Sequence, residues 1–67
     1  MLPELKNAII DFVESNPNSC TRAITQGIGE DRAATYEALC TLEEKNIVSR
    51  SGGLDGLTIT FIWNLLD

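Results

Sequence analysis

The sequence predicts a mainly α domain, a three-helix core closed by a C-terminal β-hairpin. Three observations carry that expectation. Leu5, Ala8, Ile9, Phe12 and Val13 recur at the three- and four-residue spacing of a helix face. Gly29 and Asp31 divide the next helical stretch, Thr21 to Lys45, at a tight turn. From Ile47 onward the apolar period shortens to two on either side of a glycine-rich loop.

The first helix is expected over Met1 to Ser15. Pro3 suits a first helical turn, and Glu4 meets the positive end of the helix dipole. Lys6, Asn7, Asp11 and Glu14 fall mostly opposite the apolar face, and Ile10 lies at its margin. Asn16-Pro17-Asn18 ends the helix, because a residue before proline avoids the α region. Ser19-Cys20 has room only for a very short strand.

Thr21 is the expected N-cap of a second helix, Arg22 to Ile28, with Ile24 and Ile28 turned together to the core. Gly27 inside that helix is unfavourable by ~1 kcal/mol relative to alanine. Close approach of another helix would explain it. Gly29 caps the end in the left-handed conformation. Asp31 then caps a third helix, Arg32 to Lys45, with Thr35, Ala38, Leu39 and Leu42 as its inward stripe. Asn46 ends it, again in the left-handed region.

Ile47 to Arg50 and Leu57 to Asn64 read as antiparallel strands around the loop Ser51 to Gly56. On the second strand Leu57, Ile59, Phe61 and Trp63 share one face, and Thr58, Thr60 and Ile62 the other. The run FIWNLL is more apolar than a solvent-facing edge strand should be. Leu65, Leu66 and Asp67 either fray or pack onto the first helix. The order helix, short strand, helix, helix, strand, strand is winged-helix topology, with a helix-turn-helix running into a wing.

At 67 residues the chain has room for one domain, residues 1–67, with a small core. A chain this short hides only about 60% of the surface its unfolded form exposes, so a deep catalytic cleft is not expected. Hydrophobic residues at 43% and charged residues at 22% fit a globular domain, and no apolar run approaches a membrane span, so a cytoplasmic protein is expected. With no histidine and only Cys20 and Cys40, there is no zinc motif, and reduced thiols acting as small apolar groups are the expectation. No paired acids, phosphate-cradling loop or nucleophile with a base stands out. No enzyme, metal or cofactor is expected.

Across Thr21 to Arg50 the chain resembles winged-helix regulators. LEEKNIV is similar to the L-E-E-K-G-hydrophobic-hydrophobic ending of their recognition helices, with Asn46 where glycine is usual. The chain looks closest to the small FaeA-like and PapI-like regulators of fimbrial operons, with like residues at Thr21, Ile24, Ile28, Leu39, Leu42, Glu43, Val48, Arg50 and Ser51. The resemblance implies a DNA-binding transcriptional regulator of double-stranded DNA, with the third helix in the major groove.

Charge pulls the other way. The net charge is −5 and the pI about 4.4, whereas duplex binders are usually basic on the contact face. Glu30 to Lys45 holds five acids and two bases, a local charge of −3. The wing loop SGGLDG carries no cation. The placement of the five cations therefore matters more than their number. Arg22 and Arg50 are the candidate phosphate contacts. Arg32, Tyr36 and Glu37 are the candidate base-side contacts, through guanine, thymine methyl or phosphate, and cytosine N4. Ala33 permits close approach to the groove wall. The alternative is an acidic winged-helix module that binds protein and not DNA. Trp63 reads first as core. Exposed together with Ile62 and Leu65, it would mark a homodimer or protein-partner surface.

Overall fold

The computed structural model describes residues 3–66. The elements run α1 (Pro3–Ser15), β1 (Ser19–Cys20), α2 (Thr21–Ile28), α3 (Arg32–Glu44), β2 (Val48–Asp55) and β3 (Thr58–Leu65). The expected first helical residues, Met1 and Leu2, and the C-terminal Asp67 lie outside the described residues. No described helix is long and apolar enough to cross a membrane.

The helix ends follow local chemistry. Asn16 closes α1, its backbone N–H and side-chain amide both donating to the Phe12 carbonyl at 2.8 and 3.0 Å. Asp31 caps α3 as expected, its carboxylate accepting from the Ala34 N–H at 3.1 Å. At the other end Asn46 sits at φ 59°, with Asn46 N–H bonded to the Glu43 carbonyl and Ile47 N–H to the Leu42 carbonyl. That pair of bonds is a Schellman ending, and it turns Ile47 back toward the core. The helix stops one residue earlier than expected, with Lys45 as its C-cap.

One cap differs from expectation. Cys20 caps α2, its sulfur accepting from the Ala23 N–H at 3.4 Å, and Thr21 is the first helical residue. The reason is tertiary. The Thr21 hydroxyl is buried and already accepts a hydrogen bond from the Trp63 indole at 2.9 Å.

Ile9, Val13, Ile24, Ala38, Leu39, Leu42, Val48 and Trp63 form the core, so every helix and both long strands contribute. Thr35 is the buried polar member of the α3 stripe, and its hydroxyl donates to the Asp31 carbonyl at 2.8 Å. Gly27 lies against Phe12 of α1 so closely that a Cβ there would overlap the aromatic ring. This is the close helix approach that the unfavourable glycine implied.

The sheet is antiparallel with order β1-β3-β2. The apolar character of β3 follows from that order, because β3 is the middle strand and not an edge. The hairpin is longer than expected. Ser51 to Asp55 belong to β2, and Asp55 pairs with Thr58 across a two-residue turn, Gly56-Leu57. Glycine discourages a strand reading from sequence. Here the absent Cβ of Gly53 leaves the space that the Ile62 side chain fills. Reciprocal bonds between Asn18 and Asn64, at 2.7 and 2.9 Å, tie the entry of β1 to the end of β3. Leu65 packs against the core, and the Leu66 N–H reaches the Ile47 carbonyl at 3.0 Å.

Candidate nucleic-acid interface

α3 and the hairpin share a concave surface. The strand register sets Arg50 opposite Trp63, Gly52 opposite Phe61 and Leu54 opposite Ile59, so these residues lie on one face of the wing. The N-terminal half of α3 stands beside that face. Arg32, Ala33 and Tyr36 line a hollow of about 760 Å³ together with Thr21, Gly52, Ile59 and Phe61. An adjoining hollow of about 460 Å³ is lined by Arg22, Arg32, Asp55, Thr58 and Thr60. The two share Arg32, Ile59 and Thr60, which makes them one continuous groove.

Tyr36 is 38% exposed and belongs to an aromatic group. Its ring stacks on Phe61 at 6.4 Å between centroids and an 18° interplanar angle, and meets Trp63 edge-on at 73°. Offset and edge-on pairs of this kind are the favoured aromatic arrangements. They fix the tyrosine ring at the groove wall and prevent it from sweeping the surface.

Arg50 locks the wing to α3. Its guanidinium holds both Glu43 oxygens, at 2.7 and 3.2 Å, and donates to the Tyr36 hydroxyl at 3.1 Å. It also lies over the Phe61 ring at 4.5 Å and the Trp63 ring at 5.5 Å. The hydrogen bonds that Arg50 donates to Glu43 raise its pKa, against an opposing effect of desolvation. Glu43 thus neutralises the arginine that holds Tyr36 and the wing together, a role that its place near the end of α3 did not reveal.

The other cations divide between two regions. Arg22 forms an ion pair with Asp55 at 2.9 Å. Arg32 is exposed and has no ion-pair partner among the described residues. Lys6 and Lys45 lie beside each other away from the groove, and the second ammonium lowers the Lys6 pKa.

The groove therefore brings together Arg22, Arg32, Ala33 and Tyr36, with Arg50 joined to them through the Tyr36 hydroxyl. Glu37 is not among them. It lines a separate hollow of about 480 Å³ with Glu4, Leu5, Ala8, Ile28 and Glu30. One step along a helix rotates a side chain by about 100°, which separates Glu37 from Tyr36.

The expected partner surface also changes. Trp63 is fully buried and serves the core, Leu65 packs against that core, and Ile62 is half-buried beneath Gly53. The large exposed apolar side chains of the hairpin are instead Leu54, Leu57, Ile59 and Phe61. Leu54 and Ile59 were legible as apolar, but their exposure depends on how far the wing extends beyond the helices.

No protein-family model matches the chain, and no curated protein does. Solved structures do match. The Zα domain of PKZ from Carassius auratus, solved in complex with Z-DNA, is 27% identical, with a TM-score of 0.80 over 94% of each chain. The PcaV transcriptional regulator of Streptomyces coelicolor is 18% identical, with a TM-score of 0.83 over all of this chain and 46% of its own. A possible transcriptional regulator from Methanosarcina mazei is 22% identical, with a TM-score of 0.79 over all of this chain and 57% of its own. The likeness is to a superfamily and does not single out the FaeA-like or PapI-like regulators. Three helices, a three-stranded antiparallel sheet and a hairpin standing beside α3 make this chain a member of the winged helix-turn-helix superfamily.

Proposed function

We propose that this domain binds duplex DNA through the groove between α3 and the wing, and that it acts in transcriptional regulation. The observation that carries the reading is the continuity of the groove. Arg22, Arg32 and Tyr36 line it, and Arg50 holds Tyr36 in place, although the chain as a whole is acidic. Arg32 in the first turn of α3 is the base-side residue, with Tyr36 one turn further on. Arg22 faces the phosphate backbone. Arg50 contributes by holding the wing against α3. Ala33 leaves room for a groove wall.

Glu43 and Asp55 each engage one of these arginines, so the favourable charge at the groove is small. Binding then leans on shape and on the apolar wing more than on counterion release, and its salt dependence is shallow for a duplex binder. The Carassius domain was solved with Z-DNA, so a left-handed duplex belongs among the ligands to test.

Fluorescence anisotropy decides the matter. The ligands are a mixed-sequence duplex and an alternating cytosine–guanine duplex held left-handed by cytosine bromination, each at several salt concentrations. Saturable binding of either at low salt supports the reading. Absence of binding to both overturns it.

A second reading, a protein-binding module, is favoured by the exposed Leu54, Leu57, Ile59 and Phe61 of the wing. In that case both duplexes fail to bind, while replacement of Leu57 and Ile59 by serine abolishes capture of the partner.

A further inference from the structure

The Arg22–Asp55 pair joins residues 33 apart in the chain, from the first turn of α2 to the last residue of β2. Arg22 Nε lies 2.9 Å from Asp55 Oδ2, and Arg22 Nη2 donates to Oδ1 at 3.2 Å. One hydrogen bond and one close Nε–Oδ2 approach bring a single guanidinium edge to both carboxylate oxygens, and arginine offers the same edge to a phosphate group. We propose that the Asp55 carboxylate occupies a phosphodiester-binding site, and that a backbone phosphate of the bound nucleic acid enters by displacing it. The proposal rests on the duplex-binding reading and deepens it.

The surroundings fit a phosphate better than a carboxylate. Arg32 lines the same hollow, as do Thr58 and Thr60, and Asp55 is its one acidic lining residue. In this hollow two guanidiniums face a single carboxylate, and Asp31 lines the adjoining part of the groove, so the two arginines stand against two acids in a chain of net charge −5. A phosphodiester presents two anionic oxygens at a spacing similar to that of a carboxylate, together with ester oxygens that the threonine hydroxyls can meet. The Arg22 side chain is 62% exposed, so an incoming phosphate can approach it while Asp55 still holds the other edge. An ion pair this exposed contributes little stability, so a densely charged backbone can compete with it. Asp55 then keeps Arg22 aimed into the groove in the free protein and discourages weak, non-specific anions.

The test is Asp55→Asn in the same anisotropy assay. Duplex affinity at low salt is expected to rise about two- to fivefold, the range an exposed ion pair spans. The slope of log affinity against log salt is expected to steepen by up to about one unit, as for one further phosphate contact. In an Arg22→Ala background the same substitution is expected to change nothing. Glu44→Gln, which removes a carboxylate at the far end of α3, is the charge control and is expected to leave affinity unchanged.

Unchanged or weaker binding by Asp55→Asn overturns the proposal, and so does an equal gain in the Arg22→Ala background. A titration with inorganic pyrophosphate, followed at the Arg22 Nε–H signal by NMR, separates the site from the duplex reading. A saturable shift, reached at lower pyrophosphate in Asp55→Asn, supports the site even if neither duplex binds. No shift in either protein overturns it.

Discussion

The indole N–H of Trp63 donates to the hydroxyl of Thr21 across 42 positions of sequence, at 2.9 Å and in the buried interior. The bond joins the first residue of α2 to the middle strand of the sheet. It satisfies both polar groups at once, and no buried side-chain nitrogen or oxygen among the described residues lacks a partner. Removing one partner should expose the asymmetry of buried hydrogen bonds, in which the orphaned group is the larger loss. Thr21→Val keeps the shape and removes the acceptor. It is expected to destabilise the fold by about 1–3 kcal/mol, read by urea unfolding of the Trp63 fluorescence, while Thr21→Ser stays close to wild type.

Gly27 and Phe12 are coupled by contact. Gly27→Ala places a methyl where the Phe12 ring lies, which amounts to overpacking. A loss of about 1–3 kcal/mol is expected, despite the gain in helix propensity. Phe12→Leu should recover part of that loss, so that the double variant is more stable than the sum of the single effects predicts. Strict additivity in thermal unfolding would show that the ring is not what forbids a side chain at Gly27.

Arg50 and Glu43 hold the wing to α3 through a planar fork, a hydroxyl and two rings. Lysine keeps the charge but has neither the fork nor the stacking plane. Arg50→Lys is expected to leave the fold intact, with only a small loss of stability. It should also move the Tyr36 and Phe61 ring resonances toward averaged values. Unchanged aromatic shifts would mean that stacking alone orients Tyr36.

Arg32 is the groove arginine without an internal acidic partner among the described residues. Its replacement should be felt in binding and not in stability. Arg32→Ala is expected to weaken the preferred duplex by about 1–3 kcal/mol if the contact is bidentate to a base. The melting temperature should stay near that of wild type. Wild-type affinity in this variant would remove Arg32 from the contact set.

Features that depend on near neighbours along the chain could be read before the fold was known. The stripe Thr35, Ala38, Leu39 and Leu42, the Asp31 cap, the left-handed Asn46 and the winged order of elements were legible, because spacing and capping act within a turn or two of helix. Features that depend on distant partners emerged only with the packing of the hairpin against the helices. Thr21 gave up its expected cap because Trp63 claimed its hydroxyl. Ser51 to Asp55 became strand because β3 supplied hydrogen bonds along their whole length. Glu37 fell outside the groove that Tyr36 lines, and the direction a helix faces is set by what packs against it. The arginines show the division most plainly. Their positions near the groove could be read from helix starts and the wing. Their engagement by Glu43 and Asp55 required the hairpin to fold back beside both helices, since an ion pair forms only where the chain brings two charges within about 4 Å.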